Sequence, residues 1–280
     1  MNNISVCTIY AKRELHLQNL VQGLIQSSVY PDELVIVCMN DCLPDLPQAP
    51  FKINSATINT NSGNLPLAAA RNKAAAIAKG EKLIFIDVDC IGERNLVSNF
   101  NYHLEAEDAL YSGSVRYLKQ GWNSCDWTFA SLERESSFHK LQGIAPAERE
   151  RRKHPYELFW SLNFGIKKQI FENLGGFDEL YDGYGGEDTD FSFTARSRYL
   201  PHYKISALAY HQFHPSYTPP INHFKDIIDN ARIFYDKWQI LPMDKWLKQF
   251  AKLGYIKLKN NKATIIRYPT KAEIEACRNI

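Results

Sequence analysis

Three short apolar runs punctuate the first ninety positions: ISVCTIY from Ile4, ELVIVCM from Glu33 and LIFI from Leu83. Each is too brief for a helix, rich in β-formers and free of strict alternation, which predicts buried strands covered on both faces. Between the first two, Leu17, Leu20, Val21, Leu24 and Ile25 recur at helical spacing within residues 15–26. Pro44, Pro47 and Pro50 mark an irregular connection to a further strand over residues 51–58. An Asn/Ser/Gly/Pro loop and an alanine-rich helix come next, the helix stopped by Gly80. Strand and helix alternate as in a doubly wound, mostly parallel α/β sheet.

The pattern changes beyond residue 110. Residues 111–115 read as a strand, whereas residues 121–154 mix tryptophan, glutamate and arginine without sheet periodicity, as helix and loop over an active site would. Gly175-Gly176 ends a helix, and Tyr184-Gly185-Gly186 is a tight turn that sets Glu187, Asp188 and Asp190 at the start of the next one. The apolar run ISALAY then leads to His211. Residues 221–238 and 241–253 have helical spacing, with Lys245, Lys248, Lys252, Lys257, Lys259 and Lys262 around the apolar positions. They read either as amphipathic helices packed on the catalytic domain or as a peripheral membrane contact that meets a lipid-linked acceptor. The expected division is a catalytic unit over residues 1–220, with a nucleotide-binding half (1–110) and an acceptor-binding half (111–220), and a helical extension over 221–280.

Composition changes this picture little. The 280 residues are 45% hydrophobic and 23% charged, with a net charge of +2 and no basic arm, so nucleic acid is not an expected partner. The six cysteines are scattered; Cys38 and Cys42 lie closest, without the second pair or histidine of a zinc site, and a reduced, cytoplasmic setting is expected. No stretch is apolar for 18 residues and the N-terminus lacks a secretion-signal pattern. Chemistry enters at Asp87 and Asp89, which end the third apolar run. Two acids so close repel unless a cation neutralises them, and hard oxygen ligands suit Mg2+ or Mn2+ with positions left for phosphate. The plainer alternative is a helix-capping aspartate beside a solvated one.

The ordered set of Arg13, Ala70-Arg71-Asn72, Asp87-Val88-Asp89, Gly175-Gly176-Phe177-Asp178-Glu179, Gly183-Tyr184-Gly185-Gly186-Glu187-Asp188 and His211 resembles nucleotide-sugar glycosyltransferases of the GT-A fold. It is similar in particular to the large family 2 of inverting enzymes and to the galactosyltransferase and N-acetylgalactosaminyltransferase branch with a Gly-Gly-Glu-Asp signature. The resemblance spans about residues 4–215. It implies metal-dependent transfer of a hexose or N-acetylhexosamine from a UDP-sugar to a hydroxyl of a glycan or glycolipid, as in polysaccharide biosynthesis. Asp89 is then the direct ligand of Mn2+ or Mg2+, and Asp87 contacts the ribose or a metal-bound water. His211 is the second ligand, with His214 its rival. By the same match Asp188 is the general base and Glu187 holds the acceptor or orients the loop, while Asp190 is structural. Tyr184 stacks on a sugar. Thr8, Tyr10, Arg13, Asp41 and Arg71 serve the nucleotide, Asp41 accepting from the base and Arg71 facing base or phosphate. Two departures stand out: Tyr184 replaces the family's tryptophan, and Cys7-Thr8-Ile9-Tyr10 replaces a proline-containing first strand. Two other classes compete, a phosphohydrolase of the haloacid dehalogenase type and a non-catalytic sugar-binding protein with the same fold.

Overall fold

The three apolar runs lie side by side in the computed structural model, which describes residues 3–61 and 63–279. The outer ends of the expected spans and Ser62 of the predicted loop fall outside the described residues. Strand β1 (Ile4–Tyr10) pairs in parallel with β2 (Glu33–Met39) and β4 (Lys82–Ile86), and β2 pairs with β3 (Lys52–Ile58). Every residue of β1 and β2 is buried, as uninterrupted apolar runs require. Alternation along β1 sends Ile4, Val6 and Tyr10 toward helix α1 (Glu14–Ile25), and Cys7 and Ile9 toward helix α2 (Leu67–Ile77). The alanines of α2 let that helix lie close on the sheet. Gly80 does not cap it: α2 ends at Ala78 in extended backbone, and Gly80 instead sits against β1, where a Cβ would lie 2.6 Å from the Ser5 amide nitrogen.

The second half of the sheet is mixed. Strand β9 (Asn163–Lys167) runs antiparallel to β4 and to β6 (Leu110–Leu118); β10 (His202–His211) is parallel to β6, and β5 (Cys90–Gly92) is antiparallel to β10. The order is β3-β2-β1-β4-β9-β6-β10-β5, with β7 (Ser136–Phe138) on β6 and β8 (Arg151–Lys153) on β10. These two three-residue strands fall inside the stretch expected as helix and loop. They are too short for any periodicity to show. Helices α3 (Leu96–Ala106), α4 (Phe129–Arg134), α5 (Lys168–Leu174) and α6 (Glu187–Ser197) complete this part. Gly175, at φ +90°, ends α5 as the sequence predicts.

The C-terminal part is not wholly helical. After β11 (Ser216–Tyr217) come α7 (Phe224–Trp238), α8 (Asp244–Lys252), the hairpin β12 (Ile256–Lys259) and β13 (Lys262–Ile265), α9 (Lys271–Ala276), and β14 (Arg278–Asn279), which pairs back with β11. Phe224, Ile227, Ile228, Leu247, Phe250 and Tyr255 form a core of their own, and the six lysines face outward. Among the described residues, no helix is long and apolar enough to cross a membrane.

Candidate active site

Strand β4 stops at Ile86 and the chain turns at once: the Cys90 amide donates to the Asp87 carbonyl at 2.8 Å, and the Asp87 amide to Leu162 at 2.9 Å. A turn is what lets two aspartates one residue apart enter one crevice. The Asp89 carboxylate is buried, paired with the Arg13 guanidinium and 3.4 Å from His214 Nε2. Asp89, His211 and His214 bring one ligand atom each within 4.8 Å of one another. The two histidines are thus joint candidates rather than rivals. Burial pushes the Asp89 carboxyl up, but Arg13, His211 and His214 outweigh it and leave it below its ordinary range. Burial lowers His211 to about 4 against the pull of Asp89, so its imidazole is neutral and able to ligate. Asp89 Oδ1 is buried with no hydrogen-bond partner among the described residues. One carboxylate with an uncommitted oxygen and two imidazoles is a donor set that fits Mn2+.

Asp87 belongs to a second cluster. Arg71, 4% exposed, gives Nη2 to Asp87 and Nη1 to Glu187, both at 3.3 Å, and lies over the Phe177 ring at 5.3 Å from its centre. Each arm of the guanidinium meets an acid, which makes Arg71 an internal strut between Asp87 and Glu187. Its neighbour Asn72 grips the backbone on both sides of Phe177, accepting from its amide and donating to its carbonyl at 2.8 Å each. The Ala-Arg-Asn segment therefore joins β4 to the glycine-rich turn. Burial raises the Asp87 carboxyl, with Arg71 pulling it partly back. Asp188 keeps part of its surface open, yet burial and then Glu187 push it up to about 7. Glu187 Oε2 is buried without a partner among the described residues.

The turn before α6 depends on glycine. Gly183, Gly185 and Gly186 have φ of +70°, +100° and +96°, in the left-handed region that side chains resist. Asp190, also at the start of α6, faces away from the crevice. It accepts from Trp238 Nε1 at 2.7 Å and Lys237 Nζ at 2.9 Å, and so is structural as expected. Beyond it a cleft of about 430 Å³ includes Asn72, Asp178, Asp190 and Lys237, and there Lys237 is ion-paired with both aspartates.

On the nucleotide side the outcome is uneven. Asp41 ends β2, but its carboxylate accepts from the Lys12 and Cys42 amides at 2.7 and 2.8 Å, bracing the loops beside the sheet. Those two bonds hold it below its ordinary range. Tyr10 packs in the core under α1, and Thr8 is 2% exposed with a hydroxyl that has no partner among the described residues, so β1 offers the nucleotide less surface than expected. Arg13, at the start of α1, is half-buried and ion-paired with Asp89.

Sequence reasoning named Tyr184 in the aromatic lining and missed its other members. Tyr117 stacks near His211 at 4.9 Å and faces His139 at 5.8 Å, and His139 meets Trp160 edge-on at 4.9 Å. Tyr184, 39% exposed, stacks on His223 at 4.5 Å and lies 5.8 Å from Trp246. Apart from Tyr184, no local pattern in the sequence marked these residues.

A parallel αβ half, a mixed half and acids at the strand ends define a GT-A-type sheet with its site at the switch between halves. Residues 5–175 match glycosyl transferase family 2, and residues 144–213 match the family described as the N-terminal domain of galactosyltransferase. The chain belongs to glycosyl transferase family 2, which replaces the phosphohydrolase alternative. It is 23% identical over 230 residues to the hyaluronan synthase of Pasteurella multocida, an alignment covering 68% of this chain and 22% of the synthase. A 47-residue stretch is 36% identical to validoxylamine A glucosyltransferase of Streptomyces hygroscopicus subsp. jinggangensis, 17% of this chain and 11% of that one. The chain thus spans between a tenth and a quarter of these relatives. Similar solved structures include GalNAc-T7 with UDP, GalNAc and Mn2+ (TM-score 0.54, 14% identity, 75% of this chain and 44% of that one). TarS from S. aureus, residues 1–349, is another (TM-score 0.53, 15% identity, 82% and 64%).

Proposed function

We propose that this chain is a metal-dependent, inverting glycosyltransferase that moves a hexose or N-acetylhexosamine from a UDP-sugar to a hydroxyl of a glycan or glycolipid. The observation that carries the reading is the meeting of Asp89, His211 and His214 at one end of a crevice whose other side holds Asp87, Glu187 and Asp188. The bound UDP and Mn2+ of the GalNAc-T7 structure support the choice of donor and metal. When bound, a divalent cation at Asp89, His211 and His214 would neutralise the departing diphosphate.

The chain's own residues do the rest. Arg13 adds positive charge at the cation end. Asp188 takes the proton of the acceptor hydroxyl; a carboxyl near 7 is a stronger base than an ordinary one and is still largely ionised above neutrality. Glu187, fixed by Arg71 through one oxygen, offers the other to the acceptor. Attack in line with the diphosphate inverts the anomeric centre. The test is a pair of variants. Asp89→Ala should lose the Mn2+-dependent thermal stabilisation that UDP confers, because nucleotide binds the folded state through the metal. Asp188→Asn should keep that stabilisation and lose sugar transfer. Undiminished stabilisation in the first, or wild-type transfer in the second, would overturn the respective role.

A further inference from the structure

The C-terminal part lies outside both family matches, yet it reaches into the crevice. It does so first by fixing the turn that carries the acids. Asp226 of α7 accepts from the Tyr184 amide at 3.3 Å, and Asn230 donates to the carbonyls of Asp182 and Tyr184 at 3.0 and 3.4 Å. Met243, at the start of α8, packs over Gly185 so closely that a Cβ there would lie 2.8 Å from its sulfur. Next it supplies rings. His223 stacks on Tyr184 with 20° between planes, and Trp246 follows at 30° to Tyr184, each of the three keeping free surface. Tyr117, His139 and Trp160 form a second aromatic group.

Both groups lie near the acids. Burial, then Asp188, Glu187 and Asp87, push the Tyr184 phenol up to about 12, and burial, Cys90, Tyr184 and Asp87 raise that of Tyr117. Lys245 of α8 lies near enough to help burial lower His139. Carboxylates beside two groups of aromatic rings match the two surfaces of a pyranose, whose C–H faces suit aromatic rings and whose hydroxyl rim needs polar groups. The rim partners are at hand in the imidazoles of His139 and His223 and the phenol of Tyr117.

We infer that the C-terminal segment completes the acceptor subsite, with His223 and Trp246 extending the Tyr184 platform, and that the group received there is a pyranose ring. This rests on the glycosyltransferase reading. The test uses the full chain, Mn2+ and whichever UDP-sugar the wild type hydrolyses, and follows UDP release with and without a panel of p-nitrophenyl hexosides and N-acetylhexosaminides in both anomeric forms. At least one glycoside should accelerate release. Trp246→Ala should raise the KM for that glycoside roughly tenfold, the size of one lost stacking contact. His223→Ala should act in the same direction and serves if Trp246→Ala does not fold, while Lys248→Ala on the outer face of α8 should change nothing. The inference falls if no glycoside accelerates release or if acceleration keeps its wild-type KM in both aromatic variants. A wild type that releases UDP from no UDP-sugar fails the glycosyltransferase reading itself, and this inference with it.

Discussion

Arg71→Met removes the cation between Asp87 and Glu187 while keeping most of the side chain's volume. At 4% exposure and with both partners at 3.3 Å, the guanidinium is a buried, doubly paired charge. Breaking such a pair by deleting one partner costs about 3–5 kcal/mol, because the acids are left buried and uncompensated. For a chain of this size that is a fall in Tm on the order of 10 °C. The pH dependence tests the cause. Asp87 already has a carboxyl raised by burial, with Arg71 the largest opposing influence. Without Arg71 it rises further, and a carboxyl whose folded pKa exceeds its unfolded one binds protons preferentially in the folded state. Stability is then regained as pH falls through the raised folded pKa toward the ordinary carboxylate range. Urea unfolding of wild type and variant between pH 5 and 8 should show the deficit greatest at the alkaline end and shrinking toward the acid end, and adding Asp87→Asn and Glu187→Gln should recover much of it. A deficit below about 1 kcal/mol, or one independent of pH, would refute the strut, since even a single lost buried charge pair costs more.

Gly185→Ala forces a side chain into φ +100° and against Met243, so activity should fall and urea unfolding should show a loss of about 1–3 kcal/mol. Burial, then His154, lower the buried His202 to about 3 from the ordinary 6.5. Its contribution is constant above pH 6.5 and is lost as pH falls from there toward 3, by up to about 1.4 kcal/mol per pH unit; His202→Gln should flatten the urea midpoint over that window. Asn19 donates to Gln212, between the two candidate ligands, at 2.9 Å and accepts from Trp127 at 3.0 Å. Asn19→Ala should therefore weaken Mn2+-dependent UDP stabilisation several-fold, read by thermal shift, with the unfolding free energy of the metal-free protein lowered by about 1–2 kcal/mol.

Local pattern was enough for the strands β1, β2 and β4, because a strand buried on both faces must be apolar at every position and cannot be mistaken for an amphipathic element of the same length. It was enough, too, for the turn at Tyr184 to Gly186, since glycine in succession announces backbone that other residues avoid. The folded chain alone decided how the charges pair. Arg71 looked like a phosphate ligand until its two acids, 16 and 116 positions away, proved to enclose it, and His214 joined His211 once both closed on Asp89. The roles of Met243, His223 and Trp246 were equally hidden. An apolar stripe on a helix says that the stripe is covered, but the identity of the covering surface is a property of contacts far apart in sequence, which no local period encodes.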